Sequence, residues 1–290
     1  MPSFQCPFPC YNAAMADPST TSSTDPPGYN WLLAFPAGLP GEFACKAGTF
    51  RLVRQFKHDF FAATGLYERK GAVPISAEGT VPVPTVPAPE KVVLKIQRRR
   101  PFFGMPMGWL GGWLTRHEAT IYRELADLPG VPGFVDFLGP TGFIHDFVPG
   151  EPLARDVPVS DSFFDDLADL LAAIHARGLA YVDLNKRQNI LVGTDGRPCL
   201  IDFQISFRLG NRGGEMPRAI LAMLQKQDWY HFYKHKRRCR PDLMTPADIA
   251  RSYQADDWIN LHRRISRPYF IARRRVLDRL HLPHGDEAEG

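Results

Sequence analysis

From Asp161 onward the order of side chains leaves the backbone few options. The stretch DSFFDDLADLLAAIHARG places Phe163, Phe164, Leu167, Leu170, Leu171 and Ile174 at helical spacing, with acids in its opening turn and Gly178 as a stop. AYVDLNKRQNILV (Ala180–Val192) then breaks that period with a polar loop. NILVGTDGRPCLIDF (Asn189–Phe203) reads as a hairpin, two short apolar strands joined by the turn signal Asp195-Gly196. Helix, polar loop and hairpin in this order organise the second half of the chain, whose remainder reads as mostly helical and basic.

The first half has the opposite texture. TFRLVRQFKHD and GLYERKG read as two strands around the turn FFAATG, and KVVLKIQ is a short β-branched strand. Between them, AVPISAEGTVPVPTVPAPE is a Pro-punctuated loop of low complexity. PFFGMPMGWLGGWL is apolar but interrupted by Gly and Pro, a poor helix. TRHEATIYREL follows as a helix with Thr115 as its N-cap and Ile121, Tyr122 and Leu125 on one face. GFVDFLG and GFIHDFVPG form a strand pair. A strand-rich half followed by a helix-rich half, joined near His145–Gly150, is the α+β class.

The expected boundaries are a loosely packed or disordered tail over 1–48, a strand-rich lobe over 49–146 with the Pro-rich loop at 72–90, a helical lobe over 147–283, and a short tail over 284–290. The N-terminal stretch ADPSTTSSTDPPGYN is too rich in Pro, Ser and Thr to offset its ordering entropy, and Met15 is an alternative start to Met1. Apolar residues make up 44% of the 290 and charged residues 23%, enough for a real core, while a formal charge of +4 does not by itself call for nucleic acid. The five cysteines (Cys6, Cys10, Cys45, Cys199, Cys239) lack metal-ligand spacing and read as free thiols of a reducing compartment. No apolar run reaches the length of a membrane span and no signal-peptide order opens the chain, so a cytoplasmic location is expected.

The residues that carry chemistry are few. Lys95 lies in the strand VVLK and Glu118 on the following helix, with Glu124 as the alternative acid. Asp183 and Asn189 flank the polar loop, and Asp202 ends the hairpin beside Phe203. An acid at the end of an apolar strand needs a cation or a hydrogen-bond network. Phosphoryl transfer asks for this set: a carboxylate for the attacking hydroxyl, an Asn and an Asp for Mg²⁺, and a Lys for the nucleotide phosphates.

On VVLKIQ, DLNKRQNILV and LIDF the chain resembles the protein-kinase-like superfamily over roughly residues 49–210. It looks closest to the bacterial branch of lipopolysaccharide-core sugar kinases and to RIO-like atypical kinases. The resemblance implies a bilobal protein-kinase-like fold with a β-rich N-lobe and an α-helical C-lobe. It also implies Asp183 as catalytic carboxylate, Asn189 and Asp202 as metal ligands, and Lys95 with Glu118 at the α/β-phosphates. ATP and Mg²⁺ are the implied cofactors. The acceptor is a hydroxyl on a protein Ser/Thr or on a lipid-linked sugar.

The departures are specific. Asn189 follows Asp183 by six positions where the family pattern has five, which leaves Asn189 preferred over Gln188 as ligand. Asn185 stands where the family places a Lys facing the γ-phosphate; Lys186, next in line, takes that role if the loop bulges. Tyr181-Val182 replace a His-Arg pair, which argues against switching by loop phosphorylation. Gln204 replaces the Gly of the metal-binding triplet. KHDFFAATGLYE has only Gly65 in place of a repeated Gly pattern, with Thr64 beside it as a hydroxyl donor for the phosphates. GNRGG (210–214) reads as a turn. A pseudokinase serving as a nucleotide-binding or scaffolding module is the competing expectation, and a basic nucleic-acid-binding protein a third.

Two basic, aromatic stretches, 228–240 and 261–279, suit an anionic membrane surface, as does the apolar insert Phe102–Leu114 with Trp109 and Trp113. Solvated basic helix faces and ordinary packing account for them equally well. His58, His117, His145, His175, His231 and His235 show no ligand spacing and read as core, hinge or surface residues.

Overall fold

A computed structural model describes residues 34–35, 38–71, 89–101, 106–210 and 214–254. The Pro-rich segment from 72 to 88, most of GNRGG, the basic stretch 261–279 and both chain ends lie outside the described residues. Two compact units divide the chain, one from residues up to Thr120 and from Gly133–Phe147, the other from Ile121–Pro132 and from Val148 onward.

The first unit is a six-stranded antiparallel sheet with one helix. Its strands are β1 (Glu42–Cys45), β2 (Gly48–His58), β3 (Ala62–Arg69), β4 (Lys91–Gln97), β5 (Phe134–Leu138) and β6 (Gly142–Asp146), in the order β1-β2-β3-β4-β6-β5. Strand β4 pairs on both edges, Lys95 facing Thr64 of β3 and Phe143 of β6. One face of the sheet buries Phe43, Phe50, Tyr67, Val92, Leu94 and Ile144. Phe43 belongs to a stretch expected to be tail. The ring lies 4.8 Å from Tyr67 and 5.5 Å from Phe50, and that burial recruits Glu42–Cys45 into the sheet.

Helix α1 runs Gly108–Glu124, seven residues longer at its start than the pattern implies. Thr115 is therefore mid-helix and fully buried, not an N-cap. The glycines that argue against a helix are what let it dock. A Cβ on Gly111 would stand 2.4 Å from the Arg98 carbonyl oxygen, so only glycine permits this approach to the chain after β4. Trp109 and Trp113 stay 71% and 55% exposed on this helix. From Ile121 onward the chain counts with the second unit.

That unit holds β7 (Gly150–Pro152), α2 (Phe163–Ala176), β8 (Leu179–Ala180), β9 (Ile190–Gly193), β10 (Pro198–Leu200), β11 (Phe207–Arg208), α3 (Glu215–Cys239) and α4 (Pro246–Tyr253). All six apolar positions singled out in α2 are buried, and Gly178 ends the helix at φ 72°, a left-handed residue that suits glycine. The β9–β10 hairpin pairs antiparallel, and β7 adds to its β9 edge. Phe164 packs edge-on to Phe232 of α3, which ties the two long helices together. The α+β class and the two-lobed make-up, strand-rich then helical, are as the sequence implied. Among the described residues no helix is long and apolar enough to cross a membrane.

Candidate active site

In the strand-rich unit the chemistry centres on Lys95. Because β4 is an interior strand, this ammonium is only 6% exposed and needs a carboxylate to be tolerated there. Glu118, nearly three turns into α1 and fully buried, supplies it: Nζ lies 2.9 Å from both Oε1 and Oε2. Glu124, the alternative acid, is instead engaged by Arg208, whose Nε donates to Oε2 at 2.8 Å.

Thr64 stands directly across the ladder from Lys95, on the same face of the sheet. The turn between β2 and β3 is not at Thr64-Gly65 but at Asp59–Phe61, where the Asp59 carboxylate accepts the N–H groups of Phe61 and Ala62 at 2.8 and 2.9 Å. Thr64 and Gly65 are ladder residues paired on both sides, so their amides are not those of a phosphate-capping turn. Gly65 has a packing reason: a Cβ there would stand 2.6 Å from Leu39 Cδ1.

In the helical unit the polar loop folds as two consecutive 3-10 turns, Asp183–Asn185 and Arg187–Asn189. This is how the extra residue is absorbed. Asn189 is 7% exposed and donates Nδ2–H to Asp183 Oδ2 at 2.8 Å, whereas Gln188 points to solvent. Lys186, between the two turns, donates Nζ to the same oxygen at 3.0 Å. Asn185 is exposed and carries none of this. Burial pushes the Asp183 carboxyl up, Lys186 and Asn189 pull it back, and Asp202 adds to the upward push.

Asp202 is half-buried rather than fully enclosed, and its backbone sits at φ 63°, a region that Asp tolerates better than most residues. Two tyrosines hold the chain there. Asp202 N–H donates to the Tyr122 hydroxyl at 3.2 Å, and the Tyr181 hydroxyl donates to the Ile201 carbonyl. Both rings also meet Phe203 edge-on, with centroids 5.2 and 5.0 Å away. Tyr181 thus ties the Asp183 loop to the Asp202 loop.

Three positioning residues were not legible in the sequence. Asp228, fully buried on α3, accepts the N–H groups of Tyr181 and Val182 at 2.7 and 2.8 Å and contacts His175 Nε2 at 2.9 Å. The grip matters because Val182 has φ 70°, a strained value for a β-branched residue immediately before Asp183. His235, two turns of α3 further on, donates Nε2–H to the Leu184 carbonyl at 2.7 Å. The one signal for Asp228 was a lone acid heading the aromatic run DWYHF. The same helix shows that 228–240 is largely a packed segment: Asp228, His231, Phe232, Lys234 and His235 are buried.

Among the described residues no group of three or more His, Cys, Asp and Glu could hold a metal ion by itself. Asn189 and Asp202 fit Mg²⁺ only in the manner of a site completed by nucleotide phosphates, which suits this ion's habit of taking one or two protein ligands. Nδ2 of Asn189 is committed to Asp183, so Oδ1 is the atom that would ligate.

No family model matches the chain, and no curated protein does. Among solved structures, the Rio2 kinase of Chaetomium thermophilum in an ADP/Mg²⁺-phosphoaspartate complex matches with TM-score 0.40 and 17% identity, over 60% of this chain and 53% of that one. The chain spans about half the length of the Rio2 kinase it matches.

Proposed function

We propose that the protein is an Mg-ATP-dependent phosphotransferase of the atypical protein-kinase-like type, moving the γ-phosphoryl group of ATP to a hydroxyl on a protein Ser/Thr or a lipid-linked sugar. The observation that carries this reading is the Asp183 carboxylate, held on one oxygen by Asn189 and Lys186 and set in a loop whose backbone is gripped from below by buried Asp228. Nothing in the packing of a hairpin demands that arrangement.

Asp183 Oδ1, the oxygen not taken by Asn189 and Lys186, orients the acceptor hydroxyl and receives its proton. The acceptor oxygen forms the new bond to phosphorus as the bond to the β-phosphate oxygen breaks, and ADP leaves. Lys186 places positive charge beside the transferred group. Lys95, fixed by Glu118, grips the α- and β-phosphates. Asn189 and Asp202 are the residues that hold Mg²⁺, which when bound neutralises the phosphate oxygens.

A second reading has one feature in its favour. The turn Asp59–Phe61 contains no glycine, so a nucleotide-binding module without transfer would also account for Lys95 and Glu118. Incubation with γ-labelled ATP and Mg²⁺ separates the two. Transfer or hydrolysis by the wild type, lost in Asp183→Ala and in Asp202→Ala, supports the phosphotransferase. ATP binding with equal silence in all three proteins favours the module.

A further inference from the structure

Beside the Asp183 loop lies a cluster of positive charge that phosphoryl transfer from ATP does not use. Arg187 belongs to the second 3-10 turn, Arg238 to the last turn of α3, and Arg155 to the segment just after β7. Three contacts bring these elements together. His235 on α3 is bonded to the Leu184 carbonyl at 2.7 Å, and Cys239 Sγ lies 3.8 Å from the carbonyl of Ala154. Leu153 N–H donates to the Ile190 carbonyl at 2.8 Å, next to the turn that carries Arg187.

The elements that carry the three arginines are thus in contact, and their charges act on one another. After burial, the positive charges of Arg187 and Arg155 are what lower the pKa of Arg238, and all three arginines bear on the Cys239 thiol. Three carboxylates of the surrounding segments are taken. Asp161 and Asp242 both bind Arg240, at 2.6 and 2.7 Å, and Asp183 is held by Lys186. Among the described residues no carboxylate pairs with Arg155, Arg187 or Arg238. Basic residues at a helix C-terminus are expected from the helix dipole, which accounts for Arg237 and Arg238. It does not account for Arg155 and Arg187, which arrive from two other elements. Like charges gathered from three elements lower the affinity for cations and raise it for an anion with several acceptor oxygens.

We propose that Arg155, Arg187 and Arg238 form a phosphate-recognition subsite for the acceptor, which therefore bears a phosphomonoester besides the hydroxyl that is phosphorylated. The forked donors of arginine match phosphate oxygens in pairs, and three of them surround a dianion. This deepens the phosphotransferase reading and rests on it, since Arg187 earns an acceptor role only from sharing a loop with Asp183.

Calorimetric titration of the full chain with inorganic phosphate, glucose 6-phosphate and a phosphoserine peptide tests the subsite, the last two arms telling a sugar phosphate from a phosphorylated peptide. Arg155→Glu, at an exposed position after β7, should weaken binding by about tenfold or more. Arg238→Lys keeps the charge and loses the fork, and should weaken it less, with the melting temperature unchanged. Equal affinity in Arg155→Glu and wild type, or no binding of any of the three probes at millimolar concentration, overturns the proposal. So does phosphate binding that Lys95→Met abolishes and Arg155→Glu spares, because the anion then sits with the nucleotide-binding lysine. ATP affinity of wild type against Lys95→Met judges the phosphotransferase reading separately.

Discussion

His235 links the pH dependence of stability to the loop that carries Asp183. Burial holds its imidazole far below the ordinary value of 6.5, at about 4, and Lys234, Arg238 and Arg187 oppose a second proton. Neutral His235 donates Nε2–H to the Leu184 carbonyl and leaves Nδ1 without a partner among the described residues. The folded pKa lies below the unfolded one, so the unfolded chain binds more protons between them. Stability is therefore fully present above pH 6.5 and is lost as pH falls towards 4. For a single such group the loss from pH 7 to pH 5 is about 2 kcal/mol, nearing 3 kcal/mol at pH 4. Carboxylates titrate in the same window, so the assay is a difference: urea unfolding by far-UV circular dichroism at pH 7 and pH 5, wild type beside His235→Gln. The Gln amide can still donate to Leu184 but cannot titrate. The wild type should lose about 2 kcal/mol more than the variant over this interval. Parallel losses in the two proteins would refute the reasoning, because they would mean that the buried imidazole is either already protonated at pH 7 or not buried at all.

Asp228→Ala leaves two buried N–H groups and His175 without their acceptor and should cost about 3–5 kcal/mol. Asp228→Asn, which retains one acceptor oxygen, should cost less in the same urea series, and equal costs would show that the retained oxygen contributes nothing. Lys95→Met strands a buried Glu118 carboxylate and should destabilise by about 3 kcal/mol, with partial recovery in Lys95→Met/Glu118→Gln; a double variant no more stable than the single one contradicts this. Gly111→Ala should lower the melting temperature, a loss of about 1–3 kcal/mol, although Ala is the better helix former, because its Cβ meets the Arg98 carbonyl. A rise in melting temperature would mean that α1 docks less closely than 2.4 Å implies.

Where a segment's own pattern agreed with its burial, the sequence was a sufficient guide. The α2 helix, the β9–β10 hairpin, KVVLKIQ as β4 and the β5–β6 pair follow from periodicity and turn chemistry alone. Reading went astray where a distant surface overrode local preference. GWLGGWL looks broken by glycine, yet glycine is what Arg98 and Pro140 require of a helix packed on them. EFAC looks like the end of a tail, yet Phe50 and Tyr67 give Phe43 a place to go. FFAATG looks like one turn, but the Asp59 carboxylate closes it three residues earlier and frees Thr64 and Gly65 for the ladder.

Lys95, Glu118, Asp183, Asn189 and Asp202 were named from residue type and chain order, and Lys186 from the resemblance, while an acid at the end of an apolar strand announces a partner. Which partner was a matter for the tertiary structure. Glu118 rather than Glu124 faces Lys95, and Asn189 rather than Gln188 turns inward, because helix phase and the two 3-10 turns settle those orientations. Asp228, His175, His235, Tyr122 and Tyr181 act on the Asp183 and Asp202 loops through hydrogen bonds that cross 20 to 80 positions of chain, as with Tyr181 to Ile201 and Asp202 to Tyr122. Sequence alone determined which chemistry the chain can carry and in what order. Only folding decided what holds those groups still, because a hydrogen bond between distant residues leaves no trace in local spacing.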